Sequence, residues 1–400
     1  MGARAPGPTV ALVNAAQLVQ GDDLRQAVTS FFHNHLIAET LVKQGFRVVC
    51  IQAFHDARTQ IIDGIEVRTF KVHENAHQAS ASRPGQGIRQ ALGLENPHHH
   101  LAQDLLRLVK STNADIVHCY GFSLWMAYGD VVRWAHQTGR TVSWSDHGGR
   151  PPRHPIRRRR MARTLRAVDV LFSPSQDRVQ MWDHALKPGP VWTVQPEIST
   201  HFPLLAQNQA RARTEMSGDP VICSTSNLLP GKRPQLMLDA FEALLPHWPK
   251  AHLYLCYRFD DMLPALRARL AHAPALAQAV TLMGHVPRDQ MADLYNSADI
   301  YLLTSKHEIG PTSFTEAAAC GAIPVCTDLA SIRKMSDAGK IGILFPLEAS
   351  GDEIAQAMLP LRNQISDQNR ADIRAYFETY LSYDKIVGGM VAQWAQPRRT

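Results

Sequence analysis

Short apolar segments alternate with helix-length segments along this chain, and they do so in two separate blocks. The first block runs Val10-Ala11-Leu12-Val13, a helical pattern over 32–43, Gly45-Phe46-Arg47-Val48-Val49-Cys50-Ile51, and Gly64-Ile65-Glu66-Val67-Arg68. It continues with a helix over 101–109, Asp115-Ile116-Val117-His118-Cys119, a helix over 124–136, and strands over 140–145 and 168–172. The second block repeats the scheme: strand 221–224, helix 234–245, strand 252–256, helix 262–272, strand 280–282, helix 288–296 and strand 299–303. Strands joined through helices run parallel, and the helices cover both faces of the sheet, so the strands read as unbroken apolar runs. Two α/β domains are expected, over 1–198 and 199–375, with Gln195-Pro196-Glu197-Ile198-Ser199-Thr200 as linker. Residues 74–100 lack periodicity and read as a mobile loop or insertion.

The stretch with most chemical content begins where strand 299–303 ends. Ser305-Lys306-His307-Glu308-Ile309-Gly310-Pro311-Thr312-Ser313-Phe314-Thr315-Glu316 places two carboxylates eight residues apart across a loop and the start of a helix. Gly310-Pro311 stops the strand, so a helix is predicted from near Ser313. Its first N–H groups lack intrahelical partners and carry the positive end of the dipole, a setting that attracts phosphate. Glu308 and Glu316 then flank an anion site and are suited to accept hydrogen bonds from sugar hydroxyls. A second reading of the same letters is a capping box, Ser313-x-x-Glu316, in which Glu316 only reaches back to its own helix terminus. The two stand level on this segment. A glycoside-hydrolase pair is a poorer fit, since that chemistry needs two carboxyl groups facing each other across the scissile bond.

Composition narrows the class. Four hundred residues with 45% hydrophobic and 20% charged side chains suit two or three domains with full cores. No apolar run reaches the 18 residues that a membrane span needs. The apolar stretch 9–19 is broken by Asn14 and Gln17, reads as a first strand rather than a secretion signal, and leaves a cytoplasmic protein as the expectation. Six scattered cysteines (Cys50, Cys119, Cys223, Cys256, Cys320, Cys326) lack C-x-x-C spacing and read as buried free thiols. His73, His77 and the run His98-His99-His100 invite a metal reading, but consecutive histidines do not share a helix face, so exposed loop histidines are expected and no metal.

The second block resembles the C-terminal domain of GT-B fold retaining glycosyltransferases, glycosyltransferase family 4 (glycosyl transferases group 1). The resemblance rests on Glu308-Ile309-Gly310-Pro311, Glu316-Ala317, Cys320-Gly321 and Pro324-Val325. Three further segments appear in the family's order: Asn227-Leu228-Leu229-Pro230-Gly231-Lys232-Arg233, Gly284-His285-Val286-Pro287 with Leu294-Tyr295 and Ala298-Asp299, and the closing segment 380–394. Earlier in the chain, Asp146-His147-Gly148-Gly149 and 167–173 match family positions. The resemblance implies an α/β GT-B architecture: two Rossmann-like doubly wound domains facing a central cleft, with helix 376–400 packing back on the first. It implies an acceptor-binding first domain and a second that binds a nucleotide sugar, with UDP-sugar as default. Glu316 would hold the ribose hydroxyls and Glu308 the donor sugar. The backbone of Ile309, Gly310, Pro311, Thr312 and Ser313 would bind sugar and diphosphate, and His285 and Val286 would line the base segment. Lys232 would neutralise the leaving diphosphate, and His147 would face the donor sugar. No cofactor or metal is implied, and the acceptor would be a glycan, lipid-linked or small-molecule hydroxyl.

Three departures qualify these expectations. The family pairs its lysine with an arginine five residues earlier; here that position is Asn227, and Arg233 is the candidate substitute. The acceptor-side loop, Gly21-Asp22-Asp23, carries aspartates that satisfy helix-start N–H groups themselves and so favour a hydroxyl over a phosphate acceptor. The basic run 150–166 reads as a solvated helix face; Ile156, Met161 and Leu165 offer too little apolar surface for an anchor, leaving at most weak, salt-sensitive contact of Arg157, Arg158, Arg159 and Arg160 with an anionic membrane. A degenerate GT-B subunit that binds a nucleotide sugar or glycan as scaffold for a partner enzyme, and an epimerase on the same architecture, are the alternatives.

Overall fold

The computed structural model describes residues 7–17, 23–30, 33–71, 99–122, 125–186 and 192–396. The chain forms two compact units: 1–197 together with 386–400, and 198–385. The predicted residues Gly21 and Asp22, the histidines His73, His77 and His98, and most of the 74–100 insertion lie outside the described residues.

Unit 1 holds strands β1 (Thr9–Gln17), β2 (Arg47–Phe54), β3 (Thr59–Ile62), β4 (Ile65–Lys71), β5 (Ile116–Tyr120), β6 (Thr141–Ser145), β7 (Val170–Ser173) and β8 (Trp192–Val194). Its described helices are α1 (Leu24–Ser30), α2 (His33–Lys43), α3 (His99–Thr112), α4 (Trp125–Gln137), α5 (Pro155–Arg166) and α6 (Gln176–Leu186). The sheet order is β3-β4-β2-β1-β5-β6-β7-β8. All neighbours are parallel except β3 and β4, an antiparallel pair in which Ile62 faces Ile65 across Asp63-Gly64. Both turn residues have positive φ, 51° and 81°, as a two-residue hairpin of the native twist requires. Sequence reading missed β3 because it is an edge strand: three of its four residues are exposed, which erases the apolar run.

Unit 2 holds β9 (Val221–Ser224), β10 (His252–Cys256), β11 (Val280–Gly284), β12 (Ile300–Leu303), β13 (Ile323–Thr327) and β14 (Ile343–Phe345). Its helices are α7 (Gln207–Thr214), α8 (Pro234–Leu244), α9 (Leu263–His272), α10 (Pro274–Gln278), α11 (Met291–Ser297), α12 (Thr312–Ala319), α13 (Ala330–Met335), α14 (Gly351–Met358) and α15 (Asp367–Tyr380). The strand order β11-β10-β9-β12-β13-β14 is the doubly wound 3-2-1-4-5-6 arrangement, parallel throughout. All four residues of β9 and all four of β12 are buried, as expected for strands covered on both faces. The chain leaves neighbouring β9 and β12 toward opposite faces, which opens a crevice beyond their carboxyl ends. After α12 the chain reverses at Gly321, with φ 74°; a Cβ there would stand 2.8 Å from the Arg370 carbonyl oxygen, so only glycine fits.

The expected linker is not a solvated strap: Glu197, Ser199 and Thr200 are buried. The closing helix is α16 (Tyr383–Trp394), and residues 376–380 of the expected 376–400 helix belong to the end of α15. Ser382 makes the break, donating to Glu378 O and accepting from Lys385 N. Trp394 at the end of α16 donates from Nε1 to Ser143 Oγ of β6 at 2.8 Å. All six cysteines are free and buried. Among the described residues no helix is long and apolar enough to cross a membrane.

Candidate functional site

The carboxyl ends of β9 and β12 are tied together by the loops that follow them. The turn Pro230–Lys232 after β9 is a single 3₁₀ turn, and Lys306 N donates to Gly231 O across it at 2.8 Å. Thr304, just past β12, sends its hydroxyl to Lys232 O at 2.8 Å and Arg233 O at 3.1 Å. This brace presents the Lys232 ammonium to Glu308, Nζ to Oε1 at 2.5 Å, and Ser331 Oγ donates to the Glu308 carbonyl at 3.0 Å. Three hydroxyls at the same strand ends, those of Ser224, Ser226 and Ser305, are buried without a hydrogen-bond partner among the described residues. Buried polar groups are rarely left so, and three together at a topological switch point mark a place prepared for a polar ligand.

Arg233 takes a different part from the one expected. It sits in the left-handed region at φ 51°, and its guanidinium donates to Thr304 O and Leu347 O, each at 2.5 Å, and to Thr327 Oγ1 at 3.1 Å. Three of its five N–H donors are engaged, by β13 and by the segments that follow β12 and β14, which ties the guanidinium to the scaffold rather than leaving it free as a second phosphate cation. Asn227 is also engaged locally, since its Oδ1 accepts from the backbone N–H groups of Arg258 and Phe259, each at 3.1 Å, and so holds the loop after β10.

Helix α12 begins at Thr312 with Pro311 as N-cap and no side-chain cap. Pro311 has no N–H, so within the expected anion-binding run it supplies only a fixed φ. Ser313 Oγ accepts from Tyr301 OH at 2.6 Å rather than capping the helix. The capping-box reading of Ser313 and Glu316 therefore fails; a capping box occurs instead at Ser350 and Glu353, opening α14. Glu316 is 4% exposed, and its carboxylate pairs with Arg288, whose guanidinium also lies 4.3 Å over the Phe202 ring. Burial pushes the Glu316 carboxyl up, while the charge and hydrogen bonding of Arg288 and a bond from Tyr295 pull it back. The Tyr295 hydroxyl also meets Thr225 Oγ1 at 2.6 Å, linking Glu316 to the end of β9. Sequence reading missed Arg288, although it directly follows the Gly284-His285-Val286-Pro287 segment. Within that segment His285 is exposed and Val286 packs against the unit core.

In unit 1, His147 follows β6. The preceding Asp146 is fully buried and anchors the turn, accepting from Arg178 Nε at 2.6 Å and Nη2 at 2.8 Å, Trp182 Nε1 at 3.0 Å and Gly148 N at 3.1 Å. His147 Nδ1 lies 3.5 Å from Glu197 Oε2, a residue that sequence reading assigned to the linker. Burial pulls the His147 imidazole down to about 4. Burial also pushes the Glu197 carboxyl well up; the charge of Asp146 adds to this, and the backbone of Asp146 and the charge of Arg178 oppose it. Of the loop expected to meet the acceptor, Asp23 is described: it accepts from Arg25 N at 2.8 Å at the start of α1.

The basic run forms α5, with Met161, Ala162 and Leu165 buried. A groove of about 420 Å³ between α5 and α6 is lined by Arg158, Arg159, Arg163 and Arg166. Among the described residues Arg159, Arg160, Arg163 and Arg166 pair with no carboxylate. A histidine-acid cluster does occur, at His35, Glu39 and Asp63, but Arg25 sits on Asp63 at 2.6 Å and supplies its countercharge.

Residues 206–376 match the family Glycosyl transferases group 1. Mannosylfructose-phosphate synthase of Agrobacterium fabrum is 26% identical over 175 residues, so the match spans 40% of this chain and only 38% of that protein's length. Among solved structures, sucrose-phosphate synthase of Thermosynechococcus elongatus superposes with a TM-score of 0.69 at 13% identity, covering 97% of this chain and 98% of that one. HepE of Anabaena in complex with UDP and glucose gives a TM-score of 0.64 at 14% identity, covering 96% and 99%. A trehalose-6-phosphate structure from E. coli bound with UDP-2-fluoro glucose gives 0.67 at 12%, covering 97% and 100%. The fold is therefore GT-B: α/β, with two parallel-sheet Rossmann-like domains.

Proposed function

We propose that this protein is a nucleotide-sugar glycosyltransferase that moves a hexosyl group, from a UDP-sugar as the default donor, to an acceptor hydroxyl with retention of configuration and without a metal ion. The observation that carries the reading is the loop set at the carboxyl ends of β9 and β12. There Lys232, Glu308, an uncapped helix start and three unpartnered hydroxyls gather at the switch point of a doubly wound sheet. A nucleoside diphosphate sugar offers what these groups lack. Its diphosphate oxygens can take the Lys232 ammonium and the first N–H groups of α12, and its ribose and sugar hydroxyls can donate to Glu316 and Glu308.

In the reaction the bond from the anomeric carbon to the β-phosphate oxygen breaks and its electron pair leaves with the phosphate. The acceptor oxygen forms the new bond on the same face, and its proton passes to the departing phosphate. The Lys232 ammonium and the helix N–H groups would meet the negative charge that grows there, and each such donor lowers the barrier by about 2.7–4 kcal/mol. Unit 1 supplies the acceptor side, with His147 as the sugar-contacting histidine.

The test is a panel of nucleotide sugars with mono- and oligosaccharide acceptors, read by release of free nucleoside diphosphate, with the anomeric configuration of product measured by NMR. Turnover of a nucleotide sugar by the native chain supports the reading, and binding without turnover points to the degenerate subunit. No thermal shift with any nucleotide or nucleotide sugar at millimolar concentration refutes both.

A further inference from the structure

Glu197 and His147 form a largely buried pair, their side chains 5% and 21% exposed, whose outward atoms have nothing to bond. Nδ1 of His147 lies 3.5 Å from Oε2 of Glu197, and the two atoms turned away from that contact, His147 Nε2 and Glu197 Oε1, are buried without partners. Neighbouring polar groups are engaged elsewhere. Asp146 is saturated by Arg178, Trp182 and Gly148 N. Behind the Tyr120 ring, 5.1 Å from that of His147, His118 is held by Ser143 Oγ at 2.8 Å and Ser145 Oγ at 3.2 Å.

We propose that the carboxyl group of Glu197 donates a hydrogen bond to Nδ1 of His147 and thereby fixes the imidazole in the tautomer whose proton sits on Nε2. Glu197 is then a positioning residue: it acts on the sugar only through the histidine. The proposal rests on the reading above that His147 meets the sugar.

Three arrangements of the pair can be compared. An imidazolium facing a carboxylate would put two charges where burial disfavours both, and the carboxylate would stand beside the negative Asp146 with Arg178 as the nearby cation. A neutral pair with the proton on Nδ1 would leave a carboxylic O–H and a bare ring nitrogen unmatched. A neutral pair with the carboxylic O–H donating to Nδ1 leaves one carbonyl oxygen and one N–H. That last choice makes the stronger internal bond and leaves a single strong donor, Nε2–H, for a sugar hydroxyl to satisfy. A carboxyl group that sets the tautomer of a neighbouring histidine is a recurrent device.

The tautomer can be read directly from ¹H–¹⁵N spectra of histidine-labelled protein, with the His147 signals identified by their loss in His147→Asn. The expected result is a proton on Nε2 at pH 7. Glu197→Gln should keep that tautomer, because its amide N–H can also donate to Nδ1, and should keep kcat within about threefold. Glu197→Leu, with folding verified by its melting transition, should mix the tautomers and lower kcat by about tenfold or more. A proton on Nδ1 in the native chain, or an unchanged tautomer in Glu197→Leu, overturns the proposal. Absence of any turnover by the native chain would instead sink the enzymatic reading, while the spectra would still decide the role of Glu197.

Discussion

Replacing Lys232 by methionine removes the ammonium while keeping most of the side-chain volume, and its effects on stability and on rate separate. In the folded chain Lys232 Nζ lies 2.5 Å from Glu308 Oε1, with the side chains 28% and 12% exposed. A hydrogen bond to a charged partner contributes about 1.5–3 kcal/mol. Solvent at the partly exposed lysine screens the pair, so a loss of about 1–2 kcal/mol is expected, a fall of a few degrees in Tm. In the proposed reaction the kinetic loss is larger, because the same ammonium would face the charge that develops on the departing phosphate. One missing donor of that kind costs about 2.7–4 kcal/mol, or roughly 10²–10³ in kcat. Initial rates of nucleoside diphosphate release, with saturating donor, and a melting curve on the same preparation measure both. Glu308→Gln is the control, since it keeps the cation and removes its partner. If Lys232→Met lost the expected stability yet kept kcat within about threefold, Lys232 would be a structural partner of Glu308 and no more.

Acid stability follows from His118, which burial holds down to about 3 whereas an unfolded imidazole titrates near 6.5; at His147 the lowered imidazole and the raised Glu197 carboxyl offset one another. The unfolded chain binds the extra proton, so this contribution is complete above about pH 6.5 and is lost as pH falls toward the folded value; a difference in urea midpoint between the native chain and His118→Gln that stays flat from about pH 7 to 4.5 would refute it. Arg233→Ala should lower the melting temperature, because Thr304 O, Leu347 O and Thr327 Oγ1 lose their donor. Unchanged stability with weakened UDP binding would restore the phosphate role. Gly321→Ala should destabilise unit 2 by about 1–3 kcal/mol in urea titrations, since its φ of 74° and the 2.8 Å approach to Arg370 O leave no room for a Cβ. Co-sedimentation with anionic vesicles at low salt tests Arg159, Arg163 and Arg166 of α5; binding should fall on raising salt and in a variant with these three changed to Gln.

Legibility in the sequence followed the reach of each interaction. The buried strands β9 and β12 and the helix start at Thr312 announce themselves through local runs of apolar, Gly-Pro and Ser/Thr residues. The loop carrying Glu308 can be placed from the same letters. Edge strand β3 could not be seen, because exposure removes the pattern that marks a strand. The competing readings of Ser313 and Glu316 could not be separated either, because the deciding partners, Tyr301 and Arg288, lie 12 and 28 positions away. Arg233 shows the same limit from the other side: a cation beside Lys232 looks available for phosphate until the carbonyls of Thr304 and Leu347 are brought to it.

The order of residues by itself determined two α/β units and the strand-loop-helix turn after the fourth strand of the second, because apolar periodicity and turn chemistry act over a few neighbouring positions. Only the tertiary structure decided which polar groups are matched: Lys232 to Glu308, Arg288 to Glu316, Arg233 to backbone, Glu197 to His147. Those pairings depend on burial and on distances between residues from 28 to 114 positions apart along the chain. Such separations in space are set by how strands and helices pack, not by what lies next to what in the chain.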